Sequence, residues 1–552
     1  MSYYLTVHSK GLQAHPNWPA CSGPVLVVVM DGVGLGRGDN GDAVWLAETP
    51  NLDRLARGPW VPLRAHGVAV GLPSDGDMGN SEVGHNIIGA GRVFPQGATL
   101  VEQSLESGAL FGGQTWTWLT EDLLAGDGAL HFIGLLSDGN VHSHQRHLHQ
   151  MLKEARAAGL KRVFVHVLLD GRDVPSTSAL DYLVPLEELL ASLSHGGANY
   201  RIASGGGRMV TTMDRYEADW SVVERGWQAH VLARGRCFAS AADAVRCYRA
   251  EQPGIGDQYL PAFVVAADGG SGPPLAAIQD GDSVVLFNFR GDRAVQISQA
   301  FVEANFASFD RVRWPQVRFA GLMQYDGDLK IPPHFLVEPS VIDRSMGELL
   351  AAAGVSQLAC AETQKFGHVT FFWNGNRSGM FDPEYEEYIE VPSAPPPFDR
   401  RPQMKAREVT DAVLAALARS CPPRFVRINY ANGDMVGHTG NLQASVRAVE
   451  CVDQMLGELL AAVAAAGGAA LVTADHGNAD QMLRIDRNSG EYLDEALTSH
   501  TLNRVPLYLF DPEGGRTLQA LENASLGNIA ATALELLGFQ PPEDYLPSLL
   551  RG

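Results

Sequence analysis

Short runs of β-branched and aliphatic residues, each closing on a polar residue, recur along the chain: VLVVVMD at 25–31, HFIGLLSD at 131–138, VFVHVLLD at 163–170, VVLFNFR at 284–290 and ALVTAD at 470–475. Such runs lack the apolar/polar alternation of a half-exposed strand, so they must be covered on both faces. Helical patterns lie between them, as where Thr49 offers an N-cap and Pro50 the first helical position ahead of LDRLARG, with Gly58 as the stop. Together these signals predict an α/β chain with largely parallel sheets, in which ligands gather beyond the carboxyl ends of the strands.

At 552 residues the chain is long enough for several domains at ~150 residues each, or for two large ones. Two stretches read as linkers, RVFPQGAT (92–99) and the Pro-rich GDLKIPPHFLVEPS (327–340). If both are hinges, residues 96–338 form a domain inserted into another made of 1–95 and 339–552. Sixty-three Asp and Glu against 42 Lys and Arg leave a formal charge of −21, which repels nucleic acid and acidic membrane surfaces. An anionic substrate therefore needs a local basic pocket. The six cysteines are scattered and never form C-x-x-C, so they read as reduced thiols, not as a disulfide framework or a thiolate zinc site. The N-terminal residues show no apolar signal-peptide core. The run Leu459 to Ala474 is shorter than the ~18–20 residues of a membrane span and is split by Gly467-Gly468, so it reads as a helix end followed by a buried strand.

The outer segments hold metal-type residues. Asp31 ends the first strand, Asp434 and His438 lie in NGDMVGHTG, Asp475 and His476 in TADHGN, and His500 in TSHTLNRVP. Three carboxylates and three imidazoles supply mixed oxygen and nitrogen donors for manganese, zinc or cobalt. Taken singly each has a plain structural reading: Asp-Gly is a common strand-end turn, and Gly433, Gly437 and Gly440 argue against a regular helix around Asp434 and His438, although their i, i+4 spacing would align them. Their joint occurrence favours metal.

Ser81, in MGNSEVGHNIIGAGR, stands where a glycine-flanked loop enters a helix, whose free N–H groups favour an alkoxide and a phosphate bound to it. The alternative is a simple N-cap, without the reciprocal capping box because Gly84 stands where Glu would be. A serine hydroxyl needs a base or a metal to become a nucleophile, and no Ser-His-Asp motif adjoins it.

The central segment is instead rich in anion-binding types: His142 in LSDGNVHSH, Arg172 and Asp173 in DGRDV, Arg208 and Arg215 in ASGGGRMVTTMDRY, Arg290 and Arg293 in NFRGDRA. Guanidinium forks beside glycines suit a small polyanion. Each Arg alone is more often a surface ion-pair partner, and the triple glycine without Lys-Ser/Thr is a weak nucleotide signal. Of the histidines at 142, 144, 147 and 149, a solvated helix start with one functional member, His142, is the reading preferred over a second metal site. Lys365, in AETQKFGHVTFF, precedes apolar residues that argue for partial burial.

In this order GNSEVGH, LSDGNVHSH, DGRDV, MDRY, FRGDRA, ETQKFGHVTFF, NGDMVGHTG, TADHGN and SHT resemble the cofactor-independent (2,3-bisphosphoglycerate-independent) phosphoglycerate mutases of the alkaline phosphatase superfamily, over almost the whole chain from Val25 onward. The resemblance implies an alkaline-phosphatase-like metal-binding domain carrying an inserted α/β domain. It implies an isomerase of glycolysis and gluconeogenesis that interconverts 3-phosphoglycerate and 2-phosphoglycerate with two divalent metals, manganese first and cobalt, zinc or magnesium as other ions. Ser81 would be the phosphorylated nucleophile. Asp434, His438 and His500 would hold one metal, and Asp31, Ser81, Asp475 and His476 the other. His142, Arg172, Asp173, Arg208, Arg215, Arg290, Arg293 and Lys365 would contact the substrate, with Asp173 as acid/base and Lys365 a cation at the reacting phosphoryl group. The insert would hold glycerate while it turns and keep water from the phosphoserine. We expect a cytoplasmic monomer with a small-molecule substrate and no nucleic-acid or membrane partner. The residues before Val25, the DRNSGEYLDEAL stretch (486–497) and one residue between Arg208 and Arg215 lengthen the family's pattern. A metal-dependent phosphatase or phosphodiesterase of the same superfamily is the alternative, and a non-catalytic metal- or sugar-phosphate-binding protein the one from another class.

Overall fold

The computed structural model describes residues 11–215, 219–326, 329–340, 342–485, 489 and 491–551. Tyr216 of MDRY, residues 327 and 328 of the second linker, residues 486–488 and 490 of the long stretch and the first ten residues lie outside them. The chain divides into two compact units, one formed up to Phe94 and again after Ser340, the other by Pro95–Ser340.

The first unit is built on a seven-stranded sheet in the order Glu386–Val391, Gln357–Glu362, Phe425–Tyr430, Val25–Met30, Ala469–Thr473, Val505–Phe510, Trp60–Leu63. The first five run parallel, and Val505–Phe510 is antiparallel to both its neighbours. All six residues of Val25–Met30 are buried, as an uninterrupted aliphatic run requires. Asp31, Asp434, Lys365 and Asp475 follow four of these parallel strands, so one edge of the sheet collects them.

The second unit has an eight-stranded sheet in the order Phe335–Val337, Arg318–Met323, Ser283–Leu286, Leu130–Leu136, Arg162–Leu169, Asn199–Gly207, Phe263–Val265, Arg236–Phe238. The first six are parallel. His142, Arg172, Arg208 and Arg290 follow the four central strands in the same way.

Each strand run read from the sequence is a strand, but the one at 284–290 leaves the sheet after Leu286. There the Asn288 side chain, not a backbone carbonyl, accepts the Leu135 N–H at 2.9 Å. Leu459 to Ala474 is the end of the helix Leu442–Ala465 and the strand Ala469–Thr473, joined through Gly467 at φ +66°. Thr49 is an N-cap in position only: its side chain makes no cap bond, and Asp453 takes the N–H groups of Asn51 and Leu52 at 3.1 and 2.7 Å. No helix among the described residues is long and apolar enough to cross a membrane.

Candidate metal and anion site

Ser81 is the first residue of the helix Ser81–Ala90, and Asn80, not Ser81, is the cap, its side chain accepting the Val83 N–H at 3.1 Å. The serine hydroxyl is thereby released from capping. It donates to Asp31 Oδ1 at 3.2 Å, lies 3.0 Å from His476 Nε2 and accepts from Lys365 Nζ at 2.5 Å. The helix can bring it there because Gly84 has no side chain: a Cβ at 84 would stand 2.7 Å from Asp475 Cβ.

Lys365, from the helix Thr363–Gly367, is fully buried and also donates to Asp31 Oδ1 at 2.9 Å and Asp434 Oδ2 at 2.8 Å. Burial of so polar a group is offset by these charge-assisted bonds. Asp434 and His438 do lie on a short helix, Asn432–Gly437 with His438 at its end, contrary to the glycine argument above. The glycines serve close approach instead: a Cβ on Gly433 would meet Asp31 O at 2.6 Å, and one on Gly437 would meet Asn478 Oδ1 at 2.1 Å. The i, i+4 geometry then sets His438 Nε2 3.0 Å from Asp434 Oδ1.

His500 Nε2 lies 3.2 Å from the same Oδ1 and 3.1 Å from His438 Nε2. Both rings have Nδ1 on a backbone carbonyl, His438 on Thr498 O at 2.6 Å and His500 on Gly79 O at 2.7 Å. A carbonyl only accepts, so both rings carry a proton on Nδ1, and in its neutral form each ring turns an Nε2 lone pair toward Asp434 Oδ1. Three acceptors converging in this way fit a divalent cation. A second group of converging donor atoms comes from Asp31, Asp434 and His476, with Ser81 Oγ against it. Asp434 thus faces both groups, whereas the sequence reading set it with His438 and His500 alone. Asp475 Oδ2 stands 3.7 Å from His476 Nε2, buried and without a hydrogen-bond partner.

The charges respond to this crowding. Burial and the neighbouring Asp31 carboxylate push Asp475 up to about 7. Burial opposes protonation of His476, but Asp475 and Asp31 overcome it and raise the imidazole to about 9. Burial and the His476 charge lower His500 to about 4. Despite burial, Lys365 holds Asp31 and Asp434 well below the carboxylate range.

Residues 95–340 carry a second site. Arg208, fully buried, donates through Nη1 to Asp170 Oδ1 at 2.8 Å and to Asp173 Oδ2. Asp170 is itself held by Ser137 Oγ at 2.7 Å and by the N–H groups of Arg172 and Asp173, both at 3.1 Å. Asp292 gathers Arg215 Nη2 at 3.0 Å, Arg290 Nε at 3.1 Å and His142 Nδ1 at 3.5 Å. Arg293 donates to Met213 O at 2.8 Å, and its burial among Arg215, Arg208 and Arg172 makes its charge costly. More guanidinium than carboxylate converges here, an arrangement that can take up an anion. The histidine run is less solvated than expected: His144 caps the helix Gln145–Ala157, accepting from Arg146 N–H at 3.1 Å, while His142 and His147 are buried.

Asp170, Asp292, Asn429, Asn478 and His85 escaped the reading of the sequence. Asn429 donates to Asp31 Oδ2 at 2.7 Å and Asn478 to Asp434 Oδ1 at 3.3 Å, and His85 Nδ1 lies 2.7 Å from Ser81 O. All sit within or beside the motifs quoted above, so a rule that every buried ligand needs an orienting partner would have flagged them.

A family model described as the Metalloenzyme superfamily matches residues 23–541. A probable 2,3-bisphosphoglycerate-independent phosphoglycerate mutase of Leptospira interrogans is 51% identical, over 96% of this chain and 97% of its own. The 2,3-bisphosphoglycerate-independent phosphoglycerate mutase of Trypanosoma brucei brucei is 50% identical, over 98% and 99%. The crystal structure of Leishmania mexicana phosphoglycerate mutase at low cobalt concentration superposes with a TM-score of 0.94 at 47% identity, covering 98% of this chain and 99% of that one. The chain belongs to the 2,3-bisphosphoglycerate-independent phosphoglycerate mutase family. Its fold is the α/β, alkaline-phosphatase-like fold of the metalloenzyme superfamily, as the resemblance implied.

Within this family member, Asp292 is a buried carboxylate against two guanidinium groups and an imidazole. Asp292→Asn keeps the shape and removes the charge, so unfolding by denaturant should show a loss of about 3–5 kcal/mol. An unchanged midpoint would mean that the cations do not lean on Asp292.

Proposed function

We propose that the chain interconverts 3-phosphoglycerate and 2-phosphoglycerate without 2,3-bisphosphoglycerate, through a phosphoserine at Ser81. The observation that carries this reading is the Ser81 hydroxyl, freed from capping and set at once against Asp31, His476 and Lys365. Asp434, His438 and His500 would hold one divalent metal and Asp31, Asp475 and His476, with Ser81, the other, with Asp434 beside both; manganese is the first choice and cobalt, zinc and magnesium the others. Metals bound there supply Lewis-acid stabilisation of charge on the phosphoryl and serine oxygens.

The residues of the chain do the rest. Lys365 Nζ, on the serine oxygen, favours its ionised form and offsets charge on the incoming phosphoryl group. Ser81 Oγ, in that ionised form, attacks phosphorus, the bond to the glycerate oxygen breaks, and that oxygen takes the proton that Asp173 carries over from the other glycerate hydroxyl. Arg172, Arg208, Arg215, Arg290, Arg293 and His142 bind the carboxylate and phosphate of the substrate, Arg as a bidentate fork. Asp173 exchanges protons with the two glycerate hydroxyls. Burial raises the Asp173 carboxyl, but Arg208, His142 and Arg172 hold it well below the usual range. An anion bound on Arg208 draws that charge away and makes Asp173 a stronger base when substrate is present. The other hydroxyl, once deprotonated, takes the phosphoryl group back from Ser81. We read the protein as a monomer and as cytoplasmic, the second in keeping with six scattered cysteines that never form C-x-x-C.

The test follows the phosphate. 3-Phosphoglycerate labelled in its phosphate is mixed with unlabelled phosphate on heavy-carbon glycerate. The 2-phosphoglycerate formed should keep each phosphate on its own glycerate. Extensive scrambling, or inorganic phosphate as the main product, would replace this reading with a phosphatase or phosphodiesterase.

A further inference from the structure

Three fully buried histidines of residues 95–340 are used neither by the anion set nor by the metal-type set. They link into a single hydrogen-bonded chain that crosses four neighbouring strands. Asp282 Oδ2, at the start of Ser283–Leu286, is 3.2 Å from His131 Nε2; His131 Nδ1 is 2.9 Å from His166 Nε2; His166 Nδ1 is 2.7 Å from Ser204 Oγ. From the sheet the chain passes to the helix Trp220–His230, with Ser204 Oγ 2.7 Å from His230 Nδ1, and ends at His230 Nε2, 2.9 Å from Thr212 Oγ1.

The Asp282 carboxylate only accepts, so His131 donates to it from Nε2. Every other group in the series is a ring nitrogen or a hydroxyl that can donate or accept, so the remaining bonds all run in one sense from His131 to Thr212. Burial keeps His166 and His230 neutral, His230 down to about 3. Every donor and acceptor in the series is satisfied, which is the condition under which a buried polar network is rigid.

Thr212 is an unusual residue to find at the end of it. Its φ is +70°, in the left-handed region that a β-branched residue rarely enters, and Met213 N–H bonds Thr211 O across it at 2.8 Å. That is the γ-turn of positive φ, the strained member of its kind. The helix that supplies His230 also takes the Thr212 N–H on Val222 O at 2.8 Å, and a Cβ on Gly226 would stand 2.0 Å from Thr212 Oγ1. On either side of the turn lie Arg208, Met213, whose carbonyl receives Arg293, and Arg215.

We propose that the Asp282–His131–His166–Ser204–His230 chain is a positioning device: it holds Thr212 in this strained turn and so sets Arg208, Arg215 and Arg293 for the substrate anion. This rests on the reading of those arginines as substrate ligands. Thr212→Val removes the hydroxyl and keeps the strain; it should raise KM for 3-phosphoglycerate about tenfold with kcat within about twofold, and speed hydrogen exchange of residues 208–215. Thr212→Ser should match the wild type. Thr212→Gly loses the same hydroxyl but accepts positive φ freely, so both readouts should return most of the way. His230→Phe should behave like Thr212→Val, and adding Thr212→Gly to it should restore KM. Equal KM and equal exchange in Thr212→Val and Thr212→Gly, or no rescue of His230→Phe, overturns the proposal; should His230→Phe not fold, the Thr212 series decides. Arg208→Ala is the control. If it leaves KM unchanged, the substrate reading has failed, and the exchange rates of the Thr212 series alone judge the positioning device.

Discussion

Ser81→Ala should lower turnover of 3-phosphoglycerate by about four orders of magnitude or more, the scale on which removal of a covalent nucleophile is felt. Among the described residues the Ser81 hydroxyl is the one in contact with Asp31, His476 and Lys365 together, so no neighbouring oxygen inherits the role. The fold should survive, because the cap of the Ser81–Ala90 helix is the Asn80 side chain. Melting curves should coincide with the wild type, while trapping with acid should yield the phosphorylated peptide from the wild type alone. A variant that keeps near wild-type turnover would refute the phosphoserine.

Metal depletion should be as costly, and should show itself in protons. His476 is held protonated up to about 9, and Asp475 up to about 7, in the cation-free cluster. A metal ion needs both deprotonated, so titrating metal-depleted protein with Mn²⁺ at pH 7 should release protons into a weakly buffered solution, and affinity should fall as pH is lowered. The sign follows because protons compete for the same donors: the folded-state pKa of His476 lies above its usual ~6.5, so most of its population must lose a proton to bind. Asp434→Asn, which touches both donor groups, should cost at least about a thousandfold in kcat and weaken binding of the metal. Full activity in protein shown by elemental analysis to be metal-free, or metal uptake without proton release, would sink the metal reading.

Much of this was legible in the residue order. Strands buried on both faces lack the apolar/polar alternation of a half-exposed strand, so VLVVVM and VFVHVLL, the latter broken only by His166, announced themselves, and the polar residue after each announced the ligand edge. Charge set an expectation against nucleic acid, and the ordered motifs pointed to a family that the relatives bear out. Local rules failed where a residue answers to a distant one. Gly433 and Gly437 read as helix breakers, yet they are close-approach positions against Asp31 and Asn478, which no local window contains. Thr49 read as a cap, yet Asp453 does that work.

What the sequence by itself determined is the α/β class, the strand-end placement of Asp31, Asp475, Arg172 and Arg290, and the chemical types of both donor sets, because these depend on composition within a strand and its loop. Only the tertiary structure decided which atoms meet: that Asp434 faces both metal groups, that Asp170 and Asp292 carry the arginines, and that His131, His166 and His230 join across the sheet to Thr212. Those pairings link residues up to hundreds of positions apart. Their geometry follows from strand order and helix packing, quantities that periodicity and spacing along the chain do not contain.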